Sequence, residues 1–167
     1  MDIVSHGLWG SIALGRRNRL SFWLAFFLGI APDLLSFGPF FLAILLGLTP
    51  RLTFSPEPPD PSSIPRYVHL LYNLTHSVFT FVALFLLLWL IFRRPIWEAT
   101  AWGLHIVFDI FTHSYQFFPT PFLWPLSNFK VDGFRGRTRQ YSSRILLSLD
   151  SSISGISWSA RGKLPPV

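Results

Sequence analysis

The chain of 167 residues contains no cysteine. Disulfide bonds, zinc sites with cysteine ligands and thiol nucleophiles are therefore excluded. Charged residues are also scarce, because Asp, Glu, Lys and Arg make up only 13% of the chain, against roughly 25% in an ordinary soluble domain. Since intrinsically disordered chains are rich in charge and poor in aromatic residues, this composition excludes a disordered protein as well.

Apolar and aromatic residues are abundant instead. Half of the chain is apolar, and it includes 18 Phe and 7 Trp. A soluble domain of this size leaves much of its surface wet and cannot hide so much apolar area. The composition therefore predicts an all-α protein of the cell membrane (the inner membrane in a Gram-negative cell), built as a helical bundle of about four to five helices in hairpins.

Apolar runs and proline-rich segments indicate where the helices lie. We expect a first helix over residues 3–14, a strong membrane span over 74–92 and a further helix over 96–116. The apolar runs 20–31 and 34–48 are each too short to span a bilayer, but together they could do so, broken or kinked at Pro32 and near Gly38-Pro39. Residues 117–129 contain three prolines and cannot form a regular helix.

The same pattern divides the chain into two parts. Residues 1–129 form the predicted membrane domain, interrupted by a proline-rich extramembrane loop at 49–66. Residues 130–167 form an irregular, serine-rich tail with seven basic and two acidic residues. Basic segments beside apolar helices usually contact anionic lipid headgroups, which makes lipid the expected partner of the tail. Nucleic-acid binding is not expected, because no platform of stacking aromatic residues accompanies these arginines.

Ionisable residues recur along one stripe of the predicted helix 96–116. His105, Asp109 and His113 follow one another at intervals of four, and Glu98 lies seven residues before His105. Such residues are costly in an apolar helix and usually face a functional interior. A single histidine is more often a hydrogen-bonded core residue, but three such groups on one stripe favour a metal site.

Hairpin pairing adds further ligand types to this site. A hairpin turning at residues 93–95 places His76 level with Thr112 and His113, and one turning near Arg17 places His6 level with residue 29, one turn from Asp33. His69 is expected to be a neighbour of the site at most. A divalent metal, zinc before manganese or magnesium, suits this donor set, and Asp33 and Asp109 are the expected catalytic carboxylates that two ions would share. The predicted metal ligands are His6, Asp33, His76, His105, Asp109 and His113.

The chemistry expected of such a site is hydrolysis. A metal ion brings the pKa of bound water close to neutrality and polarises a phosphoryl or acyl oxygen. The sequence contains no serine nucleophile elbow, glycine-rich phosphate loop or H-E-x-x-H pattern, so activated water is the expected nucleophile. A metal-dependent hydrolase acting on a phosphoester or lipid-like substrate is the first hypothesis. An integral membrane protein with a His/Asp ion or proton pathway, and an interaction module using the basic tail, are the alternatives.

Several short motifs at these positions resemble the YdjM-like family of membrane-bound, metal-dependent hydrolases. The resemblance covers roughly residues 1–130 and rests, in order, on Ser5-His6-Gly7, Ala31-Pro32-Asp33, Thr75-His76-Ser77, Gly103-Leu104-His105 through Asp109, Thr112-His113, and Thr120-Pro121 through Trp124-Pro125. It implies a helical membrane protein whose metal-site residues are His6, Asp33, His76, His105 and Asp109. Many members carry His-Arg four residues before the Thr-His-Ser motif, where this chain has Leu71-Tyr72.

Overall fold

The structure is a computed structural model that describes residues 2–49, 63–115 and 118–133. Over these ranges it contains no β-strand, which confirms the all-α prediction. The five helices are α1 (Ile3–Leu14), α2 (Arg19–Leu45), α3 (Arg66–Thr75), α4 (Val78–Phe92) and α5 (Thr100–Thr112), with a 3₁₀ turn at Trp97–Ala99 before α5. Residues 50–62 of the predicted proline-rich loop and residues 134–167 of the basic tail lie outside the described residues.

α1 and α2 form a hairpin whose two helix starts are fixed by side-chain caps. The carboxylate of Asp2 accepts hydrogen bonds from the backbone N–H and the hydroxyl of Ser5 at 2.9 and 2.7 Å. Asn18 accepts the backbone N–H of Ser21 at 2.8 Å. Each cap satisfies N–H groups that the first helical turn leaves without a partner. Both helices therefore begin at defined residues, with a short turn between them.

Glycines allow the backbones of α1 and α2 to approach closely. A Cβ atom on Gly29 would lie 2.9 Å from the carbonyl oxygen of His6, and one on Gly10 would lie 3.0 Å from that of Ala25. Small residues at helix crossings permit this proximity and the van der Waals contact that comes with it. His6 therefore lies beside residue 29, as the hairpin pairing predicts.

α2 runs through Pro32 and Pro39 as one helix of 27 residues. The runs 20–31 and 34–48 thus combine as predicted, and of the two expectations for the prolines, a break or a kink, the break is wrong. Each proline removes one backbone hydrogen bond from the helix interior. Tertiary packing compensates on both sides, because the first half of α2 packs against α1 and α5 and its second half packs against α3. Contacts made by the whole fold thus outweigh a local preference.

The predicted span 74–92 contains the last two residues of α3 and the whole of α4, and these two helices differ in direction by 59°. His76 ends α3 as its C-terminal cap, and Ser77 begins α4 by accepting the backbone N–H of Phe79 on its hydroxyl at 3.1 Å. A serine hydroxyl that competes for backbone groups favours a helix start over a helix interior. The predicted start of this span is therefore wrong, and the chain bends at His76.

Irregular chain after α5 covers this bend. The carbonyl oxygen of Phe122 accepts the N–H of Val78 at 3.0 Å, and that of Trp124 accepts the hydroxyl proton of Ser77. Residues 118–129 contain turns and no helix, as predicted for 117–129. α5 begins later than the predicted helix 96–116, after the 3₁₀ turn, and ends at Thr112.

A small apolar core holds α3 against the second half of α2. Its members are buried and come from both helices and from the segments that flank them: Phe40, Ile64, Val68, Tyr72 and Phe118. Phe37 and Ile44 of α2 pack on its edge. This core directs the C-terminal end of α3 toward the middle of α2.

Elsewhere the molecule exposes apolar surface. No residue of α4 is buried, and only 22% of the most apolar window of α2 is buried, whereas the core helix of a soluble protein is mostly covered. Within the described ranges, α2 is the one helix that is long and apolar enough by itself to cross a membrane, and α3 with α4 meets the same test only as a bent pair. The predicted membrane bundle is thus supported by one helix, or two, and stays a prediction.

A buried carboxylate connects the two turns at one end of the molecule. Glu98 Oε1 accepts the hydroxyl proton of Ser21 at 2.6 Å and lies 3.2 Å from Arg17 Nη2. Burial raises the pKa of Glu98, but the hydrogen bond from Ser21 and the charges of Arg17 and Arg94 lower it, and the resulting pKa lies below the usual value of 4.5. The ionised carboxylate therefore holds the α1–α2 turn beside the turn that leads into α5.

The close approach of α1 and α2 predicts the effect of one added methyl group. Gly29→Ala places a Cβ against the backbone of α1, and overpacking of this kind costs about 1–3 kcal/mol, or about 3–10 °C in Tm for a chain of this size. Gly38→Ala on the same helix is the control, because its Cβ would meet only the Leu34 side chain at 3.6 Å. Thermal unfolding of purified protein in detergent measures both, and equal Tm values for the two variants would contradict the packing.

The lowered pKa of Glu98 predicts a pH-dependent contribution to stability. A carboxyl group with a lowered pKa in the folded state stabilises the fold above its unfolded pKa, and this stabilisation is lost as pH falls through the folded pKa. Glu98→Gln should therefore lower the unfolding free energy by about 1–2 kcal/mol at pH 7, and the difference from wild type should vanish well below pH 4.5. Melting curves at both pH values test this, and a difference that persists in acid would refute it.

Candidate metal centre

The six predicted ligands converge where α1, α2, α5 and the α3–α4 bend meet. Four of them each offer one ligand atom, and these atoms all lie within 4.8 Å of one another: Asp33, His76, His105 and Asp109. The remaining two flank the same carboxylate, with His6 Nε2 at 2.9 Å and His113 Nε2 at 3.4 Å from Asp109 Oδ1. Residues far apart in the chain thus form one cluster that could hold a metal ion.

A backbone carbonyl orients His105. Its Nδ1 lies 2.7 Å from the carbonyl oxygen of Gly29. Since a carbonyl only accepts, Nδ1 carries the proton and donates it, and the neutral ring presents an unprotonated Nε2. That nitrogen lies 3.1 Å from Oδ2 of Asp109, one helical turn further along α5. The ring is therefore held in the tautomer that binds metals through Nε2.

His76 is oriented in the same way. Its Nδ1 lies 3.1 Å from the carbonyl oxygen of Tyr72 and 3.0 Å from the hydroxyl of Thr75. The carbonyl takes the Nδ1 proton, so in the neutral ring Nε2 is again an acceptor. Nε2 lies 3.1 Å from Nε2 of His105 and 3.3 Å from Oδ2 of Asp109. Two nitrogen lone pairs and a carboxylate oxygen facing one another require a cation between them, either a proton or a metal ion.

The separations between donor atoms fit a metal ion. Zinc ligands lie about 2.0–2.2 Å from the metal, so that neighbouring donors of a tetrahedron are roughly 3.3 Å apart. Nε2 of His76, Nε2 of His105 and Oδ2 of Asp109 lie 3.1–3.3 Å from one another. Oδ1 of Asp33 lies 3.5 Å from His76 Nε2 and 3.8 Å from His105 Nε2. Two imidazoles and two carboxylates also match the donor preferences of zinc and manganese. The donor set therefore passes the test of distance and of chemistry.

Burial differs among the ligands. The side chains of His76, His105 and Asp109 are completely buried, whereas that of Asp33 is 14% exposed. A charged group without water is stabilised only by partners of opposite charge or by strong hydrogen bonds. Asp33 is therefore the one member of these four whose side chain is partly exposed.

The two oxygens of Asp109 serve different neighbours. Oδ2 faces His76 and His105, while Oδ1 faces His6 and His113. The His6 ring also stacks on His105 with 3.8 Å between ring centres. Asp109 is therefore the centre of the whole arrangement. That His6 and His113 bind metal remains a prediction.

Two groups at the site have no counterpart in the sequence prediction. The Tyr72 ring stacks on His76 at 3.8 Å, and its hydroxyl lies 2.9 Å from His113 Nδ1. The carbonyl of Gly29 orients His105. Tyr72 could have been predicted from the sequence, because it lies one helical turn before His76. The carbonyl of Gly29 could not, because every residue has a backbone carbonyl.

Two ionisable residues lie away from the cluster. Glu98 shares the helical stripe of His105 in the sequence, but its carboxylate contacts Ser21 and Arg17 at the end of the molecule. The His69 ring stacks on Phe118 and is not one of the four clustered ligands, which agrees with the expectation that it is at most a neighbour.

One expected pairing is shifted. His76 was predicted to lie level with Thr112 and His113, yet its Nε2 lies beside that of His105, about two turns earlier on α5. The hairpin prediction assumed a straight helix from residue 74 onward. Because the chain bends at His76, this register does not hold.

No family model matches the chain, and neither a curated protein nor a solved structure is similar enough to match it. The resemblance to the YdjM-like family therefore stays a prediction, carried by the motifs alone.

The cluster predicts which imidazoles are needed for metal binding. His76→Ala and His105→Ala each remove a donor, and we expect the affinity for zinc to fall by at least about 100-fold, since loss of an outer-shell partner alone costs 10–100-fold. His69→Ala is the matched control, because it removes an imidazole outside the cluster. Competition with a zinc indicator and elemental analysis of purified protein measure the effect. Unchanged zinc in both site variants would contradict the site.

Proposed function

We propose that this protein is a membrane-bound, metal-dependent hydrolase. A divalent cation, with zinc the preferred ion, is held by Asp33, His76, His105 and Asp109. Water is the nucleophile. One observation carries the proposal: three separate elements of the fold bring two carboxylates and two imidazoles within 4.8 Å of one another. A bound metal lowers the pKa of a coordinated water molecule and polarises a phosphoryl or acyl oxygen.

The choice of a metal over protons rests on how the imidazoles are held. Both His76 and His105 donate Nδ1–H to backbone carbonyls and turn Nε2 toward the carboxylates. An outer hydrogen bond of this kind fixes ring orientation and raises the basicity of a metal-binding histidine. A cluster built only to share a proton has no need for two such identical arrangements.

Water is the nucleophile that the surroundings favour. Three serine hydroxyls near the ligands in the sequence are already committed as donors: Ser5 to Asp2, Ser36 to the carbonyl of Asp33, and Ser77 to the carbonyl of Trp124. None of these three hydrogen bonds goes to an imidazole, the base that usually activates a serine nucleophile. Asp33, the ligand that is partly exposed, is placed to accept a proton from water. Asp109 holds the imidazoles around it.

The exposed apolar surface supports a location in the cell membrane and a lipid-like or phosphoester substrate. α2 is about 40 Å long and spans the roughly 30 Å hydrocarbon core of a bilayer. α4 presents fifteen residues, none of them buried. A substrate that dissolves in the bilayer would reach the cluster at Asp33, its partly exposed ligand, without entering water.

A second candidate function is an ion or proton pathway. It is favoured by the row of close contacts from His6 through Asp109 to His113, all inside the molecule. Ionisable residues in contact within an apolar bundle are also the components of proton relays. Proton flux into liposomes that persists in a chelator, without hydrolysis, would favour this function.

Hydrolysis by this site predicts a metal requirement and a specific variant effect. With a chromogenic phosphodiester as probe, zinc-loaded protein in detergent should be active, and removal of zinc by a chelator should abolish the activity. Asp33→Asn should lower kcat/KM at least about 100-fold, because it removes both a metal ligand and the proton acceptor.

His69→Ala serves as the control and should retain wild-type activity within about two-fold, as surface and non-site substitutions do. Hydrolysis that survives both the chelator and Asp33→Asn would refute the proposed function.

A further inference from the structure

One end of the molecule carries a group of exposed arginines. Arg16, Arg17 and Arg19 surround the start of α2, and Arg93 and Arg94 follow α4. Arg17 Nη2 lies 3.2 Å from Oε1 of the buried Glu98, and Arg94 precedes Glu98 by only four residues, which places the two groups at the same end. Among the described residues, this end thus holds five arginines and the carboxylate of Glu98, whose formal charges sum to +4.

Exposed apolar side chains lie directly beside these arginines. Leu20 is 77% exposed, Leu90 68% and Trp97 63%, and Trp23 and Phe92 are also more than half exposed. A soluble anion would account for the charges but not for the apolar belt. The boundary between lipid headgroups and hydrocarbon accounts for both, because tryptophan and arginine are each favoured there.

We propose that this arginine end binds the headgroups of anionic phospholipids and so fixes the orientation of the chain in the membrane. The inference rests on the membrane location given under the proposed function, and it concerns residues other than the basic tail. Guanidinium groups form paired hydrogen bonds to phosphate. Since cationic segments favour the cytoplasmic leaflet, this end faces the cytoplasm.

The anchor lies apart from the metal cluster. From Arg19 to Asp33 along α2 the distance is about 21 Å, and from Thr100 to Asp109 along α5 it is about 14 Å. Half of the hydrocarbon core is about 15 Å thick. With the arginines at the headgroups, the cluster lies near the middle of the bilayer, out of reach of the lipids that the arginines hold. The two sites can therefore be tested separately.

Lipid binding is tested in mixed micelles with brominated phosphatidylglycerol, which quenches the exposed tryptophans of this end. The triple variant Arg16→Gln/Arg93→Gln/Arg94→Gln should bind this lipid about 100-fold more weakly, or about five-fold for each arginine. Arg66→Gln is the control and should bind like wild type, because Arg66 begins α3 beside the opposite end of α2. Zinc content should be unchanged in both, which shows that they fold.

Three results would overturn the inference. They are equal quenching by brominated phosphatidylcholine, unchanged binding in the triple variant, and displacement of the lipid by excess inorganic phosphate, which would indicate a site for a soluble anion. Loss of hydrolysis alone leaves the inference intact, because the arginines do not contact the cluster.

Orientation is tested with the single-cysteine variants Arg16→Cys and Leu48→Cys, since the natural chain has no cysteine. In intact cells an impermeant maleimide should label Leu48→Cys and should label Arg16→Cys only after permeabilisation. The opposite pattern would overturn the orientation. Recovery of the chain in the soluble fraction would overturn the membrane location and the lipid anchor together.

Discussion

Two carboxylates, Asp33 and Asp109, lie in one cluster inside an apolar bundle. Their negative charge has to be balanced within that cluster. Removing ions from water costs several kcal/mol each unless opposite charges and hydrogen bonds replace the lost hydration. The imidazoles around them do this only if their rings are correctly turned. For two of these rings the fold meets that requirement, because backbone carbonyls of α2 and α3 accept the Nδ1–H of His105 and of His76. The cluster is therefore a property of helix packing as much as of its own residues.

The bend at His76 gives the cluster its shape. If α3 and α4 were one straight helix, His76 would lie on a uniform surface that packs side by side with α5. Instead, the helix ends at His76, Ser77 starts a new one, and irregular chain closes over the bend. An imidazole at a helix end has one face toward the stacked Tyr72 ring and its edge toward the ligands. The end of α3 at His76 thus places the Nε2 atom of this residue beside His105 and Asp109.

The part of the site that could be predicted from sequence is the part governed by helical spacing. His105 and Asp109 are one turn apart, and no long-range information is needed to place them together. His6 beside residue 29 followed from a short turn between two adjacent helices. These inferences depend on only one or two local geometric rules.

What could not be predicted depends on competition between local and tertiary terms. Pro32 favours a break, but packing on both sides of it preserves the helix. The apolar run of 74–92 favours one helix, but the cap at Ser77 and the covering chain divide it. Neither outcome can be predicted from the local sequence, since whether the helix continues or ends depends on contacts with residues that are distant in sequence. The shifted register of His76 follows directly from the second case.

The carbonyl of Gly29 that orients His105 belongs to the main chain. An acceptor of this kind is present whatever side chains line most of α2, so it leaves no signature that substitution patterns would reveal. Over evolutionary time the apolar residues of this helix can drift widely while the imidazole keeps its tautomer. A side chain at residue 29 itself, even that of alanine, would lie against the backbone of α1 and push the two helices apart. The orientation of this imidazole thus depends on the close approach of α1 and α2 and not on the identity of any side chain of α2.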